Sequence, residues 1–139
     1  MSESVPPQLL QTVLDCVRVR ELAEFYRALL GLHYRAGDEA PTDGTPDHAD
    51  WLVLTDEHGA RALAFQKVDE LPESTWPAPG VPQQLHLDLT VGTRAELEQH
   101  RQRAVALGAR QLLDRSDDAE EPLHVLADPA GHPFCIFVA

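Results

Sequence analysis

His86 and Asp88 stand two residues apart in the run Gln84–Val91, and if that run is a strand both side chains leave it on one face. Asp15 is the one carboxylate in the first strand-like run, Thr12–Val19, and is expected to face the same space as His86. Were the two to meet, a charge-assisted pair would serve either as a general base or as an orienting group for a ligand, and both readings stand. Trp51 and Trp76 are the aromatic candidates for ligand contact. Trp76 lies in a proline-rich stretch, where it would act as a lid or equally pin a loop to a sheet edge. Phe25 and Tyr26 read as plain helix-to-sheet core. Cys16 and Cys135, near opposite ends of the chain and within apolar runs, read as small buried residues with reduced thiols. His132 reads as a turn residue bonding locally, and His33, His48, His58, His100 and His124 lack the spacing of a metal site and read as surface or structural residues. No Cys-x-x-Cys, Walker or serine-nucleophile signature is present.

These residues need elements to position them. From Glu21 to Leu30 the apolar residues Leu22, Phe25, Tyr26, Leu29 and Leu30 recur at helical spacing, with Gly31 where a C-terminal cap belongs. Short strands are expected over Leu32–Arg35, Trp51–Thr55 and Ala62–Val68, the last two joined by a tight turn, Asp56–Gly59, and preceded by a polar loop, Gly37–Ala49. Pro72, Pro77, Pro79 and Pro82 exclude regular structure from Asp69–Pro82. Beyond that connector the order returns: strand Gln84–Val91, helix Thr93–Leu107 opened by the capping pattern Thr93-x-x-Glu96, strand Ala109–Leu113, then a hairpin.

The return is a repeat. Leu54, Asp56 and Gly59 match Leu126, Asp128 and Gly131 at a single offset of 72 positions, and the hairpins WLVLTDEHGARALAF and LHVLADPAGHPFCIF align. A duplicated βαβββ unit accounts for this, and two four-stranded sheets, each with one helix, leave a face apiece free to wall a trough. The expected fold is therefore α+β, a single domain over 1–139 with module one at 9–68, a connector at 69–82 and module two at 83–139.

Composition narrows the partners. Hydrophobic residues make up 43% and charged residues 24% of 139, as in an ordinary globular domain, with no apolar run of membrane-spanning length. The N-terminal MSESVPPQLLQ lacks the basic and apolar regions of a secretory signal, so a cytoplasmic location is expected. A net charge of −12 without a dense Lys/Arg cluster argues against nucleic acid and anionic membrane as partners.

The phrases VLDC and LAEFYRALLG in the first half, and PQQLHLDLTV and DPAGHPFCIF in the second, resemble the vicinal oxygen chelate superfamily, which holds glyoxalase I, bleomycin-resistance proteins and extradiol dioxygenases. They look most like its glyoxalase-like subgroup common in actinobacteria. The resemblance implies paired βαβββ modules and usually a homodimer, with modules pairing within one chain or by exchange between two. In metal-dependent members, His, Gln or Glu ligands sit on the first and last strands of each module. Those positions fall here on Gln11, Gln66, His86 and Cys135, of which His86 is the best match and Cys135 replaces a usual glutamate. The set lacks the strong His and carboxylate ligands that hold iron, manganese or nickel, so a divalent metal is possible and not favoured. The expectation is a small-molecule-binding protein, its ligand unidentified, with a trough lined by Asp15, Gln66, His86, Asp88, Cys135, Trp51 and Trp76. The alternatives are a metal-dependent lyase, isomerase or dioxygenase acting on vicinal oxygens, and a bleomycin-type antibiotic-sequestering protein.

Overall fold

The computed structural model describes residues 4–139. Its elements run β1 (Thr12–Cys16), α1 (Val19–Leu30), β2 (His33–Tyr34), β3 (Trp51–Thr55), β4 (Arg61–Lys67), β5 (Leu87–Val91), α2 (Arg94–Leu107), β6 (Arg110–Arg115), β7 (Leu123–Ala127) and β8 (Pro133–Val138). They form two separate four-stranded sheets, ordered β1-β4-β3-β2 and β5-β8-β7-β6, so the expected α+β fold of two βαβββ modules is present. In each module the first strand pairs in parallel with the last, and the last two strands form the antiparallel hairpin. No helix among the described residues is long and apolar enough to cross a membrane.

Boundaries shift where local chemistry competes with pattern. Helix α1 starts at Val19, two residues before the expected Glu21, because Val19 is buried and adds to its apolar face. Strand β1 correspondingly stops at Cys16. Gly31 closes the helix in the left-handed conformation, its N–H donating to Arg27 O. At α2 the Thr93 side chain accepts from Glu96 N, whereas Glu96 Oε2 accepts from Gly92 N, one residue earlier than a standard capping box would place it. Strand β5 begins at Leu87, leaving His86 just outside the ladder.

The repeat predicted at offset 72 is visible in hydrogen bonds. Asp56 Oδ1 accepts from His58 N and Ala60 N, and Asp128 Oδ1 accepts from Ala130 N and His132 N. The offset then drops to 71, because a bulge between Leu54 and Thr55 gives β3–β4 one residue more than β7–β8.

One core serves both modules. Leu14, Cys16, Leu22, Phe25, Tyr26, Leu52, Leu54, Leu63 and Phe65 of the first module are contiguous with Leu97, Ala104, Leu126, Phe134 and Ile136 of the second. The join is aromatic: Phe25 meets Phe134 edge-on at 5.8 Å, while Tyr26 stacks on Phe65 at 6.0 Å and lies 6.2 Å from Phe134. Tyr26, completely buried, also donates its hydroxyl to Asp128 Oδ2 at 2.6 Å. Asp128 is only 4% exposed, and burial raises its pKa despite the bonds it accepts.

His132 departs from expectation. Its Nε2 lies 2.7 Å from the backbone oxygen of Asp15, so it bridges from the second module's turn to β1 of the first instead of bonding locally. A carbonyl only accepts, which puts the hydrogen on Nε2.

Candidate functional site

Strand pairing fixes which residues share a face. Leu87, Leu89, Phe134 and Ile136 pack into the core beneath α2, so Asp88 and Cys135, paired in register, project from the opposite face of the second sheet. His86, two residues before Asp88, projects there too. A ligand atom from each of His86, Asp88 and Cys135 lies within 4.8 Å of the others. His86 Nε2 stands 3.3 Å from Asp88 Oδ1, and these two side chains are 45% and 55% exposed. The Cys135 thiol is half-buried; burial first, then the adjacent Asp88 carboxylate, pushes its pKa up to about 11. It is thus a protonated, hydrogen-bonding thiol at neutral pH.

The same rule applied to the first sheet gives a different surface. Asp15 pairs with Gln66 and Gln66 with Trp51, so these three form one row on the face away from α1. The neighbouring row is Val13–Ala64–Val53, and it occupies the positions that Asp88, Cys135 and Val125 hold in the second module. Gln11 matches His86 by this register, as the sequence indicates. Its Oε1 is buried and has no hydrogen-bond partner among the described residues. The counterpart of Cys135 by register is Ala64, and Gln66 lies two residues further along the same face of β4.

Of the residues expected to line a trough, then, three converge, His86, Asp88 and Cys135, and three form a separate row, Asp15, Gln66 and Trp51. The Asp15 carboxylate makes no pair with His86; Asp15 engages the second module only through its backbone oxygen. Trp76 lies in the connector, where its backbone N–H donates to Ser74 Oγ, and its bond to Pro77 is cis. None of the seven lines either of the two clefts found beside the connector. One, of about 270 Å³, is bounded by Cys16, Arg18, Glu21, Leu71, Glu73 and Pro129. The other, of about 260 Å³, lies between Leu71, Pro82, Leu85, Gly131 and Pro133. The second sheet's polar triad lies outside both clefts, on a partly exposed face of one chain.

Two polar residues are buried among the described residues: Asp128, expected only as a turn residue of the repeat, and His124, expected as surface or structural. Asp128 carries no distinguishing signal, since its copy Asp56 makes the same turn without being buried. His124 is 1% exposed between α2 and β6, with Nδ1 3.0 Å from the Gln111 amide nitrogen. Its alternation with Val125 in a strand could have placed it on the helix side.

A sequence model of the glyoxalase-like domain matches residues 11–137. The chain belongs to the glyoxalase-like family. Its fold is correspondingly that of the vicinal oxygen chelate superfamily. A glyoxalase/bleomycin resistance protein/dioxygenase family enzyme from Burkholderia phytofirmans PsJN is 14% identical, with a TM-score of 0.66 over 93% of this chain and 96% of that one. A fosfomycin resistance protein from Mesorhizobium loti is 10% identical, with a TM-score of 0.64 over 98% and 94%. A lactoylglutathione lyase from Agrobacterium tumefaciens is 16% identical, with a TM-score of 0.59 over 98% and 96%. At such identities the likeness concerns the fold of this glyoxalase-like protein and not its substrate. No curated protein matches the sequence significantly.

Proposed function

We propose that this protein binds a small polar molecule on the helix-free face of its second sheet, with His86, Asp88 and Cys135 as the polar anchor. The convergence of those three side chains on one exposed face carries the reading. An imidazole, a carboxylate and a thiol offer acceptors and donors to a ligand, while Val125 beside them gives an apolar floor. A single chain leaves this surface open, and a homodimer in which the first sheet of a second copy faces it would supply the opposite wall, Gln11, Val13, Ala64 and Trp51. Leu10 and Leu85, which precede the first strands of the two modules at matching positions, are 61% and 37% exposed, as an uncovered seam would be.

The test has two arms. Metabolite and antibiotic panels are screened by thermal shift against wild type, His86→Ala and Asp88→Asn; a compound that stabilises only the wild type supports the reading, and equal response from all three overturns it. Sizing chromatography with light scattering of wild type and Leu85→Asp checks the dimer: a wild-type monomer, or a dimer untouched by the substitution, removes the shared wall.

The same cluster favours a second reading, a metal-dependent lyase, isomerase or dioxygenase. A divalent ion held by His86, Asp88 and Cys135 would supply Lewis-acid polarisation to two adjacent substrate oxygens. Metal content of protein purified without a chelating tag, compared with His86→Ala, decides it: one equivalent lost in the variant supports it, and none in either excludes it.

A further inference from the structure

The stretch that precedes β1 is uncharged and uncovered. Residues 4–11 hold no Asp, Glu, Lys or Arg and form neither helix nor strand, and Val5, Leu9 and Leu10 are 80%, 90% and 61% exposed. We infer that residues 5–9 of one copy dock in the cleft between the connector and the second hairpin's turn of another copy, and the reverse, so that exchanged arms fasten the homodimer. This rests on the dimer invoked for the polar site and adds a contact that its facing sheets do not supply.

The cleft suits this occupant in charge, size and sequence. Its lining includes no Asp, Glu, Lys or Arg, whereas the neighbouring cleft carries Arg18, Glu21 and Glu73. Two copies of a chain with a net charge of −12 repel each other, and that repulsion is least where uncharged stretches meet. A volume of about 260 Å³ lies below the ~300–1,000 Å³ of small-molecule pockets and suits a few inserted side chains. Residues 5–9, VPPQL, agree with residues 81–85, VPQQL, at four of five positions, and all five residues of that second segment line this cleft. The arm therefore brings to the cleft the same kinds of side chain that already form one of its walls. Its direction calls for a second copy. The arm leaves β1 at Thr12, while the cleft lies toward the strand's other end, where His132 holds the Asp15 backbone oxygen. Entering the cleft of its own chain would take a full reversal next to the stiff, extended Pro6–Pro7 pair, and a second copy offers the same cleft without it. The same stiffness reduces the entropy lost on docking. Leu85, 37% exposed, belongs both to the cleft and to the uncovered seam between sheets, so arm and sheets would form one continuous interface.

The experiment places a photoreactive side chain on the full-length protein, Leu9→p-benzoylphenylalanine, and irradiates a refolded equal mixture of unlabelled and nitrogen-15-labelled chains. Peptide mapping is expected to find Leu9 joined to residues 81–85 or 129–133, with about half of the joined peptides pairing a labelled with an unlabelled chain. Sedimentation equilibrium follows the arm and the cleft separately: Leu9→Asp and Val81→Asp should each raise the dimer dissociation constant at least tenfold, and the double variant should be little worse than either, because both remove one contact. Gln83→Asp replaces Val81→Asp if circular dichroism shows that the latter has not folded. Cross-links confined to single chains or made to another surface overturn the inference, as does a dimer that Leu9→Asp leaves as tight as before; the last result leaves the facing sheets standing. A wild-type monomer removes both the arm exchange and the shared wall. Interchain cross-links at the cleft, with ligands that respond equally to wild type and His86→Ala, defeat the polar site and leave the arm exchange standing.

Discussion

The two cysteines show how much one side chain owes to its position in a strand. Cys16 faces the core, where burial, aided by Asp128 and Asp15, pushes its thiol pKa up to about 12, whereas Cys135 faces the other way and reaches about 11. Only the thiolate attacks an alkylating agent, so at pH 7.5 both should react far more slowly than a free thiol. In a time course with iodoacetamide followed by peptide mapping, Cys135 is expected to label slowly and Cys16 only after denaturant is added; rapid labelling of Cys16 would show that it is not in the core. Glycines follow the same logic. Gly59 and Gly131 have positive φ, +81° and +94°, but a Cβ at Gly59 meets nothing within 4 Å, while one at Gly131 would stand 2.7 Å from Glu73 Cγ and 3.0 Å from its Cβ. Gly59→Ala should cost about 1–2 kcal/mol for the left-handed backbone, and Gly131→Ala a further 1–3 kcal/mol or so for overpacking, as read from urea melts.

Between elements, the contact from α1 to the second hairpin's turn is the one with a measurable consequence. Tyr26→Phe keeps the ring packed on Phe65 and Phe134 but removes the hydroxyl from Asp128, leaving a buried carboxylate with one donor fewer. The expected loss is about 1–3 kcal/mol in a chemical melt, and Tyr26→Phe combined with Asp128→Asn should lose less than the sum of the single changes. At this level the sequence was partly legible. The spacing of Leu22, Phe25, Tyr26, Leu29 and Leu30 and the glycine after them fixed α1, and three matched residues at one offset disclosed the second module. The Tyr26–Asp128 contact was not legible, because the two are 102 residues apart and an aspartate in a hairpin turn looks the same in sequence whether or not a buried tyrosine reaches it. The register counterpart of Cys135, Ala64, was not legible either: it lies two residues before Gln66 on the same face of β4, and its residue type carries no sign of that place. His86 was singled out by the family resemblance, and Asp88 followed from it by strand alternation, which is the most local rule available.

For the molecule as a unit, a core shared by both modules predicts one unfolding transition. Calorimetric and van't Hoff enthalpies should agree, and two resolved transitions would mean that the modules fold independently. Acid should weaken the fold in part through His124. Desolvation lowers its pKa below the usual histidine value, against the opposing pull of Asp114 from β6 and Glu98 from α2, with Arg101 acting in the same direction as burial. A histidine held neutral in the fold but free to protonate when unfolded contributes stability above its unfolded pKa that is lost as pH falls through it. Melting temperature should therefore drop between about pH 7 and pH 5, and His124→Gln should flatten that part of the curve.

The two aspartate-centred turns began as copies and now have unequal duties. In the first hairpin, Asp56 bonds only to backbone within its own turn among the described residues, while in the second, Asp128 and His132 also tie the hairpin to α1 and β1. Extra length in a surface loop costs little closure entropy. An inserted peptide, or new chain ends from circular permutation, placed between Glu57 and His58 would disturb only bonds local to that turn; the same change between Pro129 and Ala130 would unfasten one half of the protein from the other. The first hairpin is thus where this scaffold will carry a reporter, and the second is where it will not.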